Sequence, residues 1–78
     1  KVHVVKLIAP TGIVSYSSLQ QLLGERADRI KPVIVERGPD MGTESVIVQF
    51  GKTPRIEAVE LLKQILTLPG VREEPAPH

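Results

Sequence analysis

Apolar residues crowd the start of the chain at Val2, Val4, Val5, Leu7 and Ile8, and such a run of aliphatic, largely β-branched side chains fits a pleated strand. Ala9, Pro10, Thr11 and Gly12 follow as a sharp loop, since proline and glycine punctuate regular structure. The period then changes. Leu19, Leu22, Leu23, Ala27 and Ile30 recur three or four positions apart, with Gln20, Gln21, Glu25 and Arg26 on the other side, which predicts an amphipathic helix with one core-facing stripe. Ser15 is the expected N-cap, and Gly24 lies inside the predicted helix, where glycine costs about 1 kcal/mol relative to alanine.

Lys31 and Pro32 interrupt this pattern, and Val33, Ile34 and Val35 predict a short strand running into Glu36 and Arg37. The segment from Gly38 to Thr43 is a turn too long for a two-residue hairpin. Val46, Val48 and Phe50 then alternate with Ser45, Ile47 and Gln49, the clearest strand signal in the chain. Thr53 followed by Pro54 reads as an N-cap with proline at the first helical position, opening a second helix to about Leu66. Its stripe of Ala58, Val59, Leu61, Leu62, Ile65 and Leu66 is wide enough to meet both a sheet and a neighbouring helix. Pro69 and Gly70 end it, Val71 to Glu73 can add a last short strand, and residues 75–78 read as a flexible tail after a single domain spanning 1–74.

The order strand, helix, strand, strand, helix, strand is the split βαβ plan. The expected fold class is therefore α+β, a ferredoxin-like βαββαβ sandwich whose antiparallel sheet runs 4-1-3-2 with two helices on one face, as right-handed crossovers require. The opposite face is left bare. Because the first strand is apolar on both sides, that face or an edge is expected to be covered by another subunit or by the rest of a parent protein.

The chain has 78 residues, no cysteine, and ten basic against nine acidic side chains, for a formal charge of +1. A core this small gains from a partner, and neither disulfides nor thiolate metal sites can reinforce it. The balanced charge offers no field to draw in nucleic acid or a membrane surface, and no apolar run approaches the length of a membrane span. A cytoplasmic setting is expected from the missing cysteines. The chain begins at a strand-like Lys1 and Val2 without an initiator methionine, as an excised piece or processed product would.

Catalytic and metal-binding chemistry is not expected. His3 and His78 lie far apart in the sequence, Ser15, Ser17 and Ser18 read as capping and surface residues, and Glu57 and Glu60 share a helix face with Lys63 as ordinary solvated charges. No phosphate-cradling glycine motif is present. Tyr16 and Phe50 are the only aromatics, with Phe50 on the inward phase of its strand, so no base-stacking platform is expected.

VHVVKLIA leading into PTGIV, then LQQLLGERADRI, VIVERGPDMGTESVIVQF and EAVELLKQILTLPGV, resembles in order and spacing the ACT domain, a small ligand-sensing module attached to enzymes of amino-acid metabolism. The resemblance implies a non-catalytic regulatory or oligomerisation module that binds a small metabolite, an amino acid or carboxylate, where the first loop meets a neighbouring subunit, with no cofactor. It carries Thr11, Gly12 and Ile13 over as ligand contacts. Ser15 joins them because exposed N–H groups near a helix start suit an anion. Members that bind amino acids usually place Asp or Asn before an Arg-Pro-Gly turn, and Ala9, Pro10, Thr11 and Gly12 offer no such acid. Two alternatives stand beside this reading. LLKQILTLPGVREEPAPH also resembles the last helix, turn and extended tail of subtilisin-type propeptides, which would make the chain a protease inhibitor, and a ligand-independent assembly domain is the third class.

Overall fold

The computed structural model, which describes residues 3–74, runs β1 (His3–Pro10), α1 (Tyr16–Leu23), a 3₁₀ segment (Gly24–Arg29), β2 (Ile34–Arg37), β3 (Thr43–Phe50), α2 (Arg55–Ile65) and β4 (Arg72–Glu73). The strands form one sheet in the order β2-β3-β1-β4, every neighbouring pair antiparallel; counted from the β4 edge, this order is 4-1-3-2. Val5 lies opposite Val48, Leu7 opposite Val46 and Ala9 opposite Glu44. Directly opposed residues share a face, so these positions line one side of the sheet. Leu19 and Leu23 of α1 and Ala58, Leu61 and Ile65 of α2 join Leu7, Ala9, Val46, Val48 and Phe50 in one buried cluster, which sets both helices against that side. Phe50 is core, as its phase predicts.

On the other side the register aligns Ile34 with Ile47 and Lys6, and Glu36 with Ser45 and Ile8. Ile8 is buried there, while Val4 and Ile34 are 58% and 54% exposed. No helix among the described residues is long and apolar enough to cross a membrane.

Several local expectations are corrected. β1 continues through Ala9 and Pro10 instead of stopping before them, because Pro10 pairs with Thr43 and the Thr11 N–H donates to the Gly42 carbonyl at 2.9 Å. Proline is tolerated there because β4 pairs only with Leu7 and Ile8 and has ended before reaching it. The first helix is shorter than its apolar period suggests. Gly24 adopts φ +62, caps α1 by donating its N–H to the Gln20 carbonyl, and hands the chain to the 3₁₀ segment. Glycine occupies that left-handed φ without a Cβ penalty, so it ends the helix instead of sitting within it.

Pro54, not Thr53, is the N-cap of α2, which has no side-chain cap, and Thr53 is buried with no hydrogen-bond partner for its hydroxyl among the described residues. Glu60 and Lys63 are exposed, as expected of a solvated face, and Glu57 is half-buried, but the two acids are not paired along their own helix alone. They reach across to the 3₁₀ segment, with Glu57 3.6 Å from Arg26 and 3.7 Å from Arg29, and Glu60 3.6 Å from Arg26. The tail and His78 lie outside the described residues.

Candidate functional site

The β1–α1 loop is fixed from both ends. The Ile13 N–H donates to the Pro10 carbonyl at 3.2 Å, closing a turn, and the Gly12 N–H donates to Glu44 Oε1 at 2.9 Å. Glu44 reaches the loop because the β1–β3 register sets it opposite Ala9. Past the loop, Ser15 is extended, its hydroxyl accepts from the Ser18 N–H at 3.1 Å, and Ser18 Oγ accepts from the Ser15 N–H at 2.8 Å. This capping box satisfies helix-end donors reciprocally. Ser18 Oγ also donates to the Ile13 carbonyl at 2.8 Å, tying the cap to the turn. Ser15 therefore serves as the N-cap its position predicts, and its hydroxyl is held in the cap.

Beside this loop a cleft of about 660 Å³ opens between α1, the segment entering β2, and the helix-side face of β2 and β3. That volume falls in the range of small-molecule sites. Its walls are mainly apolar: Val14, Leu19 and Ala27 come from the core side, and Val33 and Val35 from β2 and its approach. Two charged side chains interrupt them, Glu44 at the loop and Lys31 on the approach to β2. Lys31 donates its N–H to Gln49, so the two anchor points are five β3 residues apart, roughly 17 Å at the usual strand rise. Tyr16 stands at the rim, its hydroxyl accepting from Gln20 Nε2 at 2.9 Å.

Of the four residues expected at a site, Gly12 and Ser15 line the cleft, whereas Thr11 and Ile13 do not. Thr11 is exposed with its N–H bonded to Gly42, and Ile13 packs against the core. The loop is also not the free anion cradle that its glycine suggests, because a carboxylate already occupies the Gly12 N–H. Conversely, the acid missing from the loop sequence is supplied from β3. A signal for it was present: counting inward positions back from Phe50 through Val48 and Val46 arrives at Glu44, an acid on the core-facing phase of a strand. Tyr16, Lys31, Val33 and Val35 had no comparable signal, since they meet only in three dimensions.

His3 lies opposite Phe50 and lines a separate small cavity beside α2, with Arg55 and Leu62. Among the described residues no three His, Cys, Asp or Glu side chains gather in a way that could hold a metal ion. No protein-family model, curated protein or solved structure matches the chain.

Proposed function

We propose that this chain is a non-catalytic regulatory and pairing module of the ACT type, built on the ferredoxin-like plan, and that its cleft takes a small amino acid with an apolar side chain. The observation that carries the reading is the bond from the Gly12 N–H to Glu44 Oε1 at the mouth of an apolar cleft. A zwitterion can exchange with both partners of that bond at once, its ammonium group meeting Glu44 and its carboxylate taking the Gly12 N–H. The exchange gives the ammonium a carboxylate and the ligand carboxylate a backbone donor, so neither group is left without a partner, which matters where apolar walls weaken solvation. Val14, Leu19 and Val35 then receive the side chain. Because the loop bond must open for the ligand to enter, binding favours a different loop arrangement from that of the free chain, and such differential affinity is what regulation of an attached partner requires.

Isothermal titration with an apolar amino acid, the amine lacking its carboxyl group and the acid lacking its amino group tests this directly. Glu44→Gln keeps an acceptor for Gly12 but removes the charge. Charge-assisted hydrogen bonds contribute about 1.5–3 kcal/mol, so the variant is expected to bind the amino acid and the amine about tenfold to hundredfold more weakly. The deaminated acid is expected to bind poorly to either protein. Equal binding of the acid and the amino acid, or binding untouched by Glu44→Gln, would sink the proposal.

A further inference from the structure

The cleft carries one charge of each sign, at opposite ends. Glu44, half-buried, stands at the β1–α1 loop, and Lys31, exposed, lies on the approach to β2. Because the Lys31 N–H donates to the Gln49 carbonyl at 2.9 Å, the two positions are separated along β3 by roughly 17 Å at the usual strand rise. The Lys31 stem does not fold back toward Glu44: its Cε lies 3.9 Å from where a Cβ on Gly51 would stand, beyond Gln49. Neither charge belongs to an ion pair among the described residues. Apolar side chains, Val14, Leu19 and Val35 among them, line most of the rest. At the rim the Tyr16 hydroxyl accepts from Gln20 Nε2, which leaves its own proton for a carbonyl of whatever the cleft holds.

A single apolar amino acid uses only the Glu44 end of this space. The cleft volume of about 660 Å³ corresponds to roughly twenty waters at ~30 Å³ each, so one such amino acid leaves more than about half of it empty. Lys31 then has nothing to meet. We infer that the preferred occupant is a short apolar peptide with both ends free, its ammonium group on Glu44 and its terminal carboxylate on Lys31. The inference rests on the site proposed above, keeping Glu44 as the ammonium partner, and names the class of ligand that fills it.

The length of the peptide follows from the spacing of the charges. Charge-assisted contacts of about 2.8 Å at each end leave roughly 11 Å for the ligand, which three or four extended residues cover at about 3.3–3.6 Å each. The first peptide carbonyl takes the Gly12 N–H, where a single amino acid would place its carboxylate. A free peptide thus matches the cleft in the sign and order of its charges and in its apolar middle. A peptide blocked at either end, or an apolar chain with one charge, leaves Glu44 or Lys31 unmatched.

Isothermal titration with valine, the tripeptide valine-alanine-valine, its carboxyl-terminal amide and its N-acetyl form tests the inference. The tripeptide is expected to bind about tenfold or more tightly than valine, from the apolar surface that the added residues bury. It is also expected to bind about fivefold more tightly than its amide, the effect of a solvent-exposed ion pair, and about tenfold more tightly than its N-acetyl form, which cannot pair with the half-buried Glu44. On Lys31→Met, which keeps the stem and removes the charge, free acid and amide are expected to bind alike; the amide comparison on the unaltered protein needs no variant to fold. Valine binding with no gain for the tripeptide overturns the inference and leaves the amino-acid site standing. A preference for the free acid that persists on Lys31→Met overturns the pairing with Lys31, and an N-acetyl form that binds as well as the free tripeptide overturns the two-ended ligand. Absence of binding by every probe sinks the site itself, and this inference with it.

Discussion

Replacing Thr53 by valine is expected to stabilise the domain, against the usual effect of point substitution. Thr53 is 7% exposed, lies just before the N-cap Pro54, and carries a hydroxyl that has no partner among the described residues. Mutational series place the penalty of an unbonded buried hydroxyl at about 1–3 kcal/mol. Valine removes that penalty and puts a methyl group in the same volume, with a small packing strain to subtract, so a net gain of about 1 kcal/mol is expected. For a domain of this size that corresponds to a rise in melting temperature of about 4–8 °C. Urea denaturation should show a higher midpoint with an unchanged slope, since the surface exposed on unfolding is the same. Thr53→Ser completes the series, because it keeps the hydroxyl and deletes the buried methyl, and is expected to lose about 1 kcal/mol. The reverse ranking, serine near the parent and valine below it, would show that the hydroxyl is bonded and that the start of α2 depends on it as a cap.

The hairpin that delivers Glu44 to the cleft offers a second test. A Cβ on Gly38 would lie 2.6 Å from the Thr43 carbonyl carbon and 2.8 Å from the Glu44 nitrogen, whereas one on Gly42 would meet nothing within 4 Å. Gly38→Ala should therefore cost about 3 kcal/mol, the upper end for overpacking against backbone, and weaken amino-acid binding by displacing Glu44. Gly42→Ala should cost only about 1 kcal/mol, from holding alanine at the positive φ of +78, and a larger loss at Gly42 than at Gly38 in denaturant titrations would contradict the hairpin geometry. Ser15→Ala removes the cap of α1 and should cost about 1 kcal/mol; a change below a few tenths would mean that Ser18, through its bond to the Ile13 carbonyl, holds the helix start alone.

The strand phases were legible because burial on one face imposes a period of two, and Val46, Val48 and Phe50 obey it without interruption. The first helix was misread for the opposite reason. Ala27 keeps the helical period and is buried in the core, so the apolar pattern runs straight through the point where the backbone changes at Gly24. A 3₁₀ segment can carry a buried residue on nearly the same phase, and hydrophobic spacing over so few residues does not separate it from another α turn. Thr53 was misread because threonine before proline is also what a conventional capped start looks like; whether its hydroxyl turns to the helix or to the core is decided by packing, which composition does not encode.

The misread helix bears directly on the candidate site. α1 ends after eight residues, and the chain then continues through the 3₁₀ segment and a stretch without regular structure from Lys31 to Val33 to reach the far edge of the sheet. Helix therefore leaves β2 uncovered on its core side, and Val35 faces a cleft in place of a packed neighbour. Had the helix continued through Gly24, as the apolar spacing alone suggests, its later turns could have packed over β2 and filled that space. The cleft is thus a consequence of where one glycine ends a helix. Glu44 enters it because a strand that is apolar on its inward phase carries one acid where the helical cover stops. Burying a carboxylate under helix would impose a large desolvation penalty. Leaving it beside an open cleft, bonded to one backbone N–H, avoids that penalty and keeps the charge available to a ligand.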